Sequence, residues 1–210
     1  MSGPVTIDDT AAPGGPPTVL QRLDSTNAAA LADLTAKFED LQTVLRCCEQ
    51  LVGLLAAGSE DADPVVVEAV WTTALLSYAR CFAVGEAGTS LSEDDLTATL
   101  ENAEVLNWHK VLLQLRDHYA DASTNPRERF SVGVAQAADG APGGVAITSS
   151  RQPLVDDLTV RQTGAIAFAL SGLINDRIAA GQQKVFDEVK GLAKEDLDNL
   201  DQLDVAQPDE

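Results

Sequence analysis

The residue types that could carry acid–base chemistry are concentrated in one segment, residues 105–122 (VLNWHKVLLQLRDHYADA). Both histidines of the chain, His109 and His118, lie there together with Arg116 and Asp117. An imidazole exchanges protons near neutral pH, and a guanidinium stabilises negative charge that develops in a transition state. If the chain has a catalytic site, this segment is where we expect it.

An amphipathic helix must position these groups. His109 and Arg116 lie beside its apolar face, at the boundary of the predicted core. Arg80 lies in the apolar segment YARCF and needs a carboxylate partner if it is partly buried, for which Asp117 is the candidate. These four residues form the predicted polar cluster. The apolar residues recur at steps of three and four, which places them on one helical face: Val105, Trp108, Leu112, Leu115, Tyr119 and Ala122.

The sequence argues against a nucleophilic triad and against a metal site. The two histidines are nine residues apart on one helix, and Leu113, four residues after His109, is apolar. The three cysteines have no CxxC spacing and fall on apolar helical stretches, which is typical of buried free thiols in a reducing compartment: Cys47, Cys48 and Cys81. We therefore predict no cofactor, no metal and a cytoplasmic location, either free or in an assembly formed there.

Residues 115–122 (LRDHYADA), followed by Asn125-Pro126 and a predicted hairpin, resemble the helical HEPN superfamily. The stretch from Trp71 to Phe82 is similar to helices of bacterial members of that superfamily. The resemblance covers about residues 25–190 through short motifs. It implies a helical fold and, in catalytic members, a ribonuclease whose arginine and histidine meet across a dimer.

The chain departs from that motif at the decisive position. Arg116 and Asp117 match its start, but Asp121 and Ala122 stand where the histidine belongs, four to six residues after the arginine. His118 is too close to Arg116 to replace it. Alanine cannot exchange a proton, and an exposed aspartate is a poor base near neutral pH. We therefore predict that the protein is not an enzyme.

Composition sets the fold class and excludes some partners. The 210 residues are 45% hydrophobic and only 4% aromatic, which predicts a globular, mainly α fold. A formal charge of −19 repels phosphate backbones, so we expect no nucleic acid as partner. The same charge leaves open an acidic mimic that occupies a nucleic-acid-binding protein. No signal peptide is recognised, and the longest apolar run, Gly164–Ile174, is too short to span a membrane, so we expect no membrane partner and a soluble protein.

The predicted architecture is a bundle of four or five long helices with one β-hairpin inserted before the last. Residues 1–23 form a flexible arm, residues 24–192 the bundle with its hairpin at about 130–150, and residues 193–210 an acidic tail. Helices are predicted to start near Ser25, at Asp63-Pro64 and at Ser92. The first should stop at Gly58, the third should be broken near Asn102 and end at Asn125-Pro126, and the last should run from about 157 to 192.

Two apolar stripes could contact other molecules. The first helix carries a heptad stripe that serves either the core or a seam between copies: Leu31, Leu34, Phe38, Leu41, Leu45, Val52 and Leu55. In the tail, Leu197, Leu200 and Leu203 could dock into a partner's groove, or the tail is frayed and solvated.

The leading hypothesis is a non-enzymatic protein–protein interaction or assembly protein that self-associates and reaches neighbours with its terminal arms. The partner is another protein or a second copy. A HEPN-type ribonuclease toxin or phage-defence component, and the acidic nucleic-acid mimic, are the alternatives.

Overall fold

The computed structural model describes residues 20–56, 62–100 and 104–203. In these ranges the chain is mainly helical with one two-stranded antiparallel sheet, which confirms the predicted fold class. The elements follow in the order α1 (Thr26–Ala56), α2 (Pro64–Phe82), α3 (Glu93–Thr99), α4 (Glu104–Ala120), β1 (Glu128–Gln136), β2 (Pro142–Arg151), α5 (Asp157–Val189) and α6 (Lys194–Asp198).

The two longest helices, α1 and α5, pack against each other in antiparallel directions. Small residues on α5 permit the approach: a Cβ at Gly164 would lie 3.4 Å from Cys48, and one at Gly181 would lie 3.2 Å from Leu31. The backbone of α5 therefore lies close to α1 at these two glycines. Helix α2 packs on another side of α1, and α4 packs on α2. The short helix α3 contacts both α4 and α5.

The heptad stripe of α1 is used inside the chain. Leu41 is fully buried in the core, with Val44 and Leu51 beside it. The other stripe residues contact the same core or α5, and they are Leu31, Leu34, Phe38, Leu45, Val52 and Leu55. The use of this stripe as a seam between copies stays a prediction.

The helix starts predicted from capping residues are confirmed. Asp63 accepts a hydrogen bond from the Val65 N–H with Pro64 in the first helical position, and Ser92 and Asp95 form a capping box. Helix α4 was predicted to reach Asn125-Pro126, which is wrong. It ends at Ala120 because the Asp121 carboxylate accepts hydrogen bonds from the N–H and hydroxyl of Ser123, a local turn that competes with the helix.

Other predicted boundaries are close to those observed. Helix α5 begins at Asp157 as predicted and ends at Val189, three residues before the predicted end. The predicted break in the third helix corresponds to the interval between α3 and α4, although Asn102 itself lies outside the described residues. Gly58, the predicted stop of the first helix, also lies outside them.

Helix α2 is the one described helix that is long and apolar enough, by length and composition alone, to cross a membrane. Core helices of soluble proteins pass the same test, and Trp71, Leu75 and Tyr78 of α2 are buried in the helical core. The finding is therefore weak evidence for a membrane span.

The two described ends of the chain are paired with each other. Gln21 and Gln202 form an isolated antiparallel bridge, and the Leu203 N–H donates to the Leu20 carbonyl at 2.8 Å. Leu197 and Leu200 of the acidic tail are half-buried, and Leu203 is exposed. Docking of these leucines to a partner stays a prediction, and residues 1–19 and 204–210 lie outside the described ranges.

Strands β1 and β2 form the predicted hairpin, with Val132 opposite Ile147 and Val134 opposite Val145. A bulge follows Ala135, and Gly140 takes the left-handed conformation (φ +85°) that the turn requires. Neither strand packs along a helix, so the hairpin leaves the helical body and projects by about 30 Å, at 3.4 Å per residue.

Candidate functional site

His109 is a core residue. Its Nδ1 lies 2.9 Å from the hydroxyl of Tyr78 on α2, and the centroid of its ring lies 4.3 Å from that of the Phe82 ring. Burial lowers the pKa of His109, Lys110 acts in the same direction and Glu93 opposes it, while burial raises the pKa of Tyr78. A neutral imidazole and a protonated tyrosine hydroxyl therefore share one hydrogen bond, and the tautomer of His109 sets its direction.

Arg80 faces α1 and not α4. Its Nε lies 3.0 Å from both carboxylate oxygens of Asp40, and one Nη donates to the Ser77 hydroxyl at 2.9 Å. The expected pairing of Arg80 with Asp117 is therefore wrong. Helix α2 lies between α1 and α4, and the part of its surface that carries Arg80 is turned toward the carboxylate on α1.

Arg116 pairs with its own neighbour, Asp117, at 2.8 Å from Nε to Oδ1. The N–H is not aligned with that oxygen, so the buried Nε has an ionic contact but no hydrogen bond. Neither histidine is bonded to this guanidinium, and His118 is exposed against the ring of Tyr119. A small cavity of about 100 Å³ lies beside the Arg116 side chain. It is lined by Thr72, Leu75, Leu76, Arg116, Tyr119 and Ala120.

The structure thus distributes the predicted polar cluster over three places. His109 lies in the core, Arg80 on the α1 side of α2, and Arg116 with Asp117 about 10 Å along α4 from His109, at 1.5 Å per residue. Burial also raises the pKa of Cys48 and of Cys81 to about 12, which leaves these thiols protonated and poorly nucleophilic. Within the described ranges, no group of three or more His, Cys, Asp or Glu is arranged to hold a metal ion.

Sequence reasoning missed a row of polar residues on α1. Lys37 is buried and donates from Nζ to the Ala83 carbonyl at the end of α2 (3.1 Å). Asp33, one turn earlier, accepts from the Ala87 N–H and the Thr89 hydroxyl, at 3.0 and 3.1 Å. With Asp40 these residues fasten the end of α2 and the loop after it. Their spacing of four and three residues was the available signal, because it places them on one helical face.

Larger cavities lie elsewhere, two of them beside α4 or the hairpin. One of about 470 Å³ separates α4 from α5 and has mainly apolar walls, including Trp108, whose buried Nε1 has no hydrogen-bond partner. The other, of about 440 Å³, lies where the hairpin meets the helices. Its charged side chains are paired, Glu68 with Arg127 and Glu128 with Arg151.

The hairpin carries a continuous set of exposed apolar side chains. Its alternation puts five large side chains on one side, with relative exposures of 57–75%. We call them the apolar face of the hairpin: Phe130, Val132, Val134, Val145 and Ile147. The opposite side has small or polar residues, with Ser131 opposite Thr148 and Gly133 opposite Ala146.

The base of the hairpin is fixed to the helical body. Arg127 contacts both carboxylate oxygens of Glu68 on α2, at 2.9 and 2.8 Å, and its carbonyl accepts from the Gln152 N–H at 2.8 Å. This two-point contact is geometrically specific. The hairpin is therefore held at its base while its apolar face stays uncovered.

The chain matches no family model, no curated protein and no solved structure. The resemblance to the HEPN superfamily stays a prediction from short motifs.

Proposed function

We propose that this chain is a non-enzymatic protein–protein interaction or assembly protein of the cytoplasm, and that the hairpin is its docking surface. The observation that supports this most strongly is the apolar face, where five large side chains point to solvent from an element that nothing in the described chain covers.

The physical reason is that such an element is poorly stabilised by itself. A two-stranded hairpin is marginally stable in water unless a hydrophobic face packs against something. Apolar patches of several hundred Å² on soluble proteins mark interaction sites. Here the bond between Arg127 and Glu68 secures the base only, so a bound partner would supply the missing packing.

A paired-charge variant tests this proposal. Val132→Lys with Ile147→Glu makes the apolar face polar, adds an attractive cross-strand pair and leaves the net charge unchanged. Ser131→Lys with Thr148→Glu makes the same change on the opposite side of the hairpin. We expect light scattering and co-purification to show an association that the first variant loses and the second keeps. A strict monomer that binds no partner would contradict the proposal.

A ribonuclease activity is the competing proposal, supported by the buried Arg116 Nε that lacks a hydrogen bond beside a small cavity. The test is Arg116→Ala, with Arg161→Ala, an exposed arginine paired to Asp157, as the control. If the wild-type chain cleaves RNA or is toxic, and Arg116→Ala abolishes the effect while Arg161→Ala does not, the ribonuclease proposal replaces the interaction proposal.

A further inference from the structure

The apolar face of the hairpin is self-complementary in its chemistry. Three successive cross-strand positions carry its five apolar residues, and the next position toward the base carries the pair Glu128–Arg151, with Nε and Oε1 3.5 Å apart. The charges on this side of the hairpin thus neutralise each other. The surface can be buried against an identical surface without leaving a lone charge out of water.

The charge distribution favours a second copy at this place. Residues 127–151 hold three of the fourteen basic residues and two of the thirty-three acidic ones, so almost all of the negative charge belongs to the rest of the chain. Two copies that approached through their helical bodies would repel each other. The hairpin projects by about 30 Å, several times the Debye length of about 8 Å at physiological salt. Contact between two hairpins that point in opposite directions therefore keeps the acidic bodies at opposite ends of the contact, beyond the range of strong repulsion.

The size of the face fits a weak, reversible dimer. Five side chains that each expose about 100 Å² present roughly 500 Å² per copy, a patch of the size that is often functional on a monomer. Two such faces bury about 1,000 Å² in total, the lower end of the range for specific interfaces.

We propose that the partner of the hairpin is the same apolar face on a second copy of this chain. The two hairpins stack face to face, about 10 Å apart, around a two-fold axis. This inference rests on the proposed function and names the partner at that docking surface.

Sedimentation velocity on the purified full chain, over a wide range of concentrations, tests the inference. We expect a monomer–dimer equilibrium for the wild type and for Ser131→Lys with Thr148→Glu. For Val132→Lys with Ile147→Glu we expect the association constant to fall by more than about tenfold, because two of the five apolar side chains are lost and charged groups would have to be desolvated at the centre of the contact instead of at its edge. If the control variant also loses the dimer, the strand edges or the other side of the hairpin make the contact, and the inference is wrong.

A mixing experiment separates face-to-face contact from docking elsewhere on the second copy. Labelled Val132→Lys/Ile147→Glu chain is mixed with unlabelled wild type. Face-to-face stacking predicts no mixed dimer, because each contact needs two apolar faces. Mixed dimers as stable as those of the wild type would overturn the inference, since one intact hairpin would then suffice.

Two further outcomes keep this test distinct from that of the proposed function. A wild type that is monomeric at every concentration overturns the inference, whereas the proposed function survives if the same variant loses a different, co-purifying protein. Circular dichroism checks that the variants fold. If the charged variant does not, Val132→Thr with Ile147→Thr, which keeps β-branched residues in the strands, must weaken the dimer in its place.

Discussion

At the scale of single residues, the Tyr78–His109 hydrogen bond puts two polar groups inside the contact between α2 and α4. Both side chains are buried, and each satisfies the other. Lys37 is a second example, because its ammonium group donates to the carbonyl of Ala83, the residue that caps the end of α2. Residues with the chemistry of a catalytic site thus serve here to join helices, because a buried polar group is stable only when it is bonded.

Replacing Tyr78 by Phe tests this structural role. The change removes the hydrogen-bond partner of His109 Nδ1 and leaves a buried polar atom unsatisfied, which costs about 1–3 kcal/mol of unfolding free energy. Urea denaturation measures the loss. Tyr119→Phe, at a half-buried ring on α4, is the matched control and should change stability by less. Equal stability of the Tyr78→Phe variant and the wild type would contradict the assigned role.

The lowered pKa of His109 predicts a dependence of stability on pH. In the unfolded chain this histidine takes up a proton near pH 6.5, and burial opposes that uptake in the folded chain. The unfolded state then binds more protons than the folded state. The contribution of His109 to the free energy of unfolding is therefore complete above about pH 6.5 and is lost as the pH falls toward the pKa of the folded state. The unfolding free energy of the wild type should therefore decrease between about pH 7 and 5 relative to that of His109→Gln. Parallel pH profiles for the two proteins would refute this.

At the scale of secondary structure, the strands of the hairpin depend on local sequence, whereas the attachment of its base depends on residues distant in sequence. The strands form because β-branched residues alternate with small ones around a glycine turn, and that period could be predicted from the sequence. The alternation does not predict whether the apolar side packs on the helices or stays exposed. Nor could the sequence reveal that Glu68 would hold Arg127, since the two residues are 59 positions apart.

Glu68→Gln should loosen the base of the hairpin. The amide keeps the shape of the carboxylate but loses the charge and one acceptor for Arg127, while α2 and its buried face stay intact. We expect faster amide hydrogen exchange in residues 128–151 and unchanged exchange in α1 and α5. Glu39→Gln, at an exposed carboxylate 4.0 Å from Arg46, is the control and should leave the exchange of the hairpin unchanged. Identical exchange of the hairpin in both variants would show that Glu68 does not hold it.

The helices illustrate what sequence patterns can and cannot determine. Capping at Asp63 and Ser92 and the apolar stripe of α1 depend on residues close in sequence, and these features are where the patterns placed them. The partner of Arg80 depends on which helix packs on which side of α2. Several carboxylates were available to it, and only the packing of α1 selects Asp40.

At the scale of the whole molecule, repulsion between the acidic groups that give the net charge of −19 is the main long-range interaction. The described ion pairs that are exposed contribute little to stability, since pairs such as Arg161–Asp157 are solvated on the surface. Unpaired negative charge, in contrast, repels throughout the folded body. Packing between the helices must therefore overcome this repulsion as well as the loss of chain entropy.

Salt should consequently stabilise the fold. Raising NaCl from about 0.01 to 0.15 M shortens the Debye length from about 30 to 8 Å and screens the repulsion between carboxylates. We expect the thermal midpoint to rise by several degrees over this range, measured by circular dichroism. A midpoint that falls with salt would show that the ion pairs outweigh the net repulsion.

The bridge between Gln21 and Gln202 has a consequence for the connectivity of the chain. It places the first and last described residues side by side, near the start of α1, whereas Arg127 and Glu68 lie toward the other end of that helix, which is about 45 Å long. A short linker from Leu203 to Leu20 would therefore span a small gap, and new termini could be opened at the tip of the turn around Gly140. Such a circular permutant keeps the order of the helices in space while turning β1 and β2 into two free chain ends.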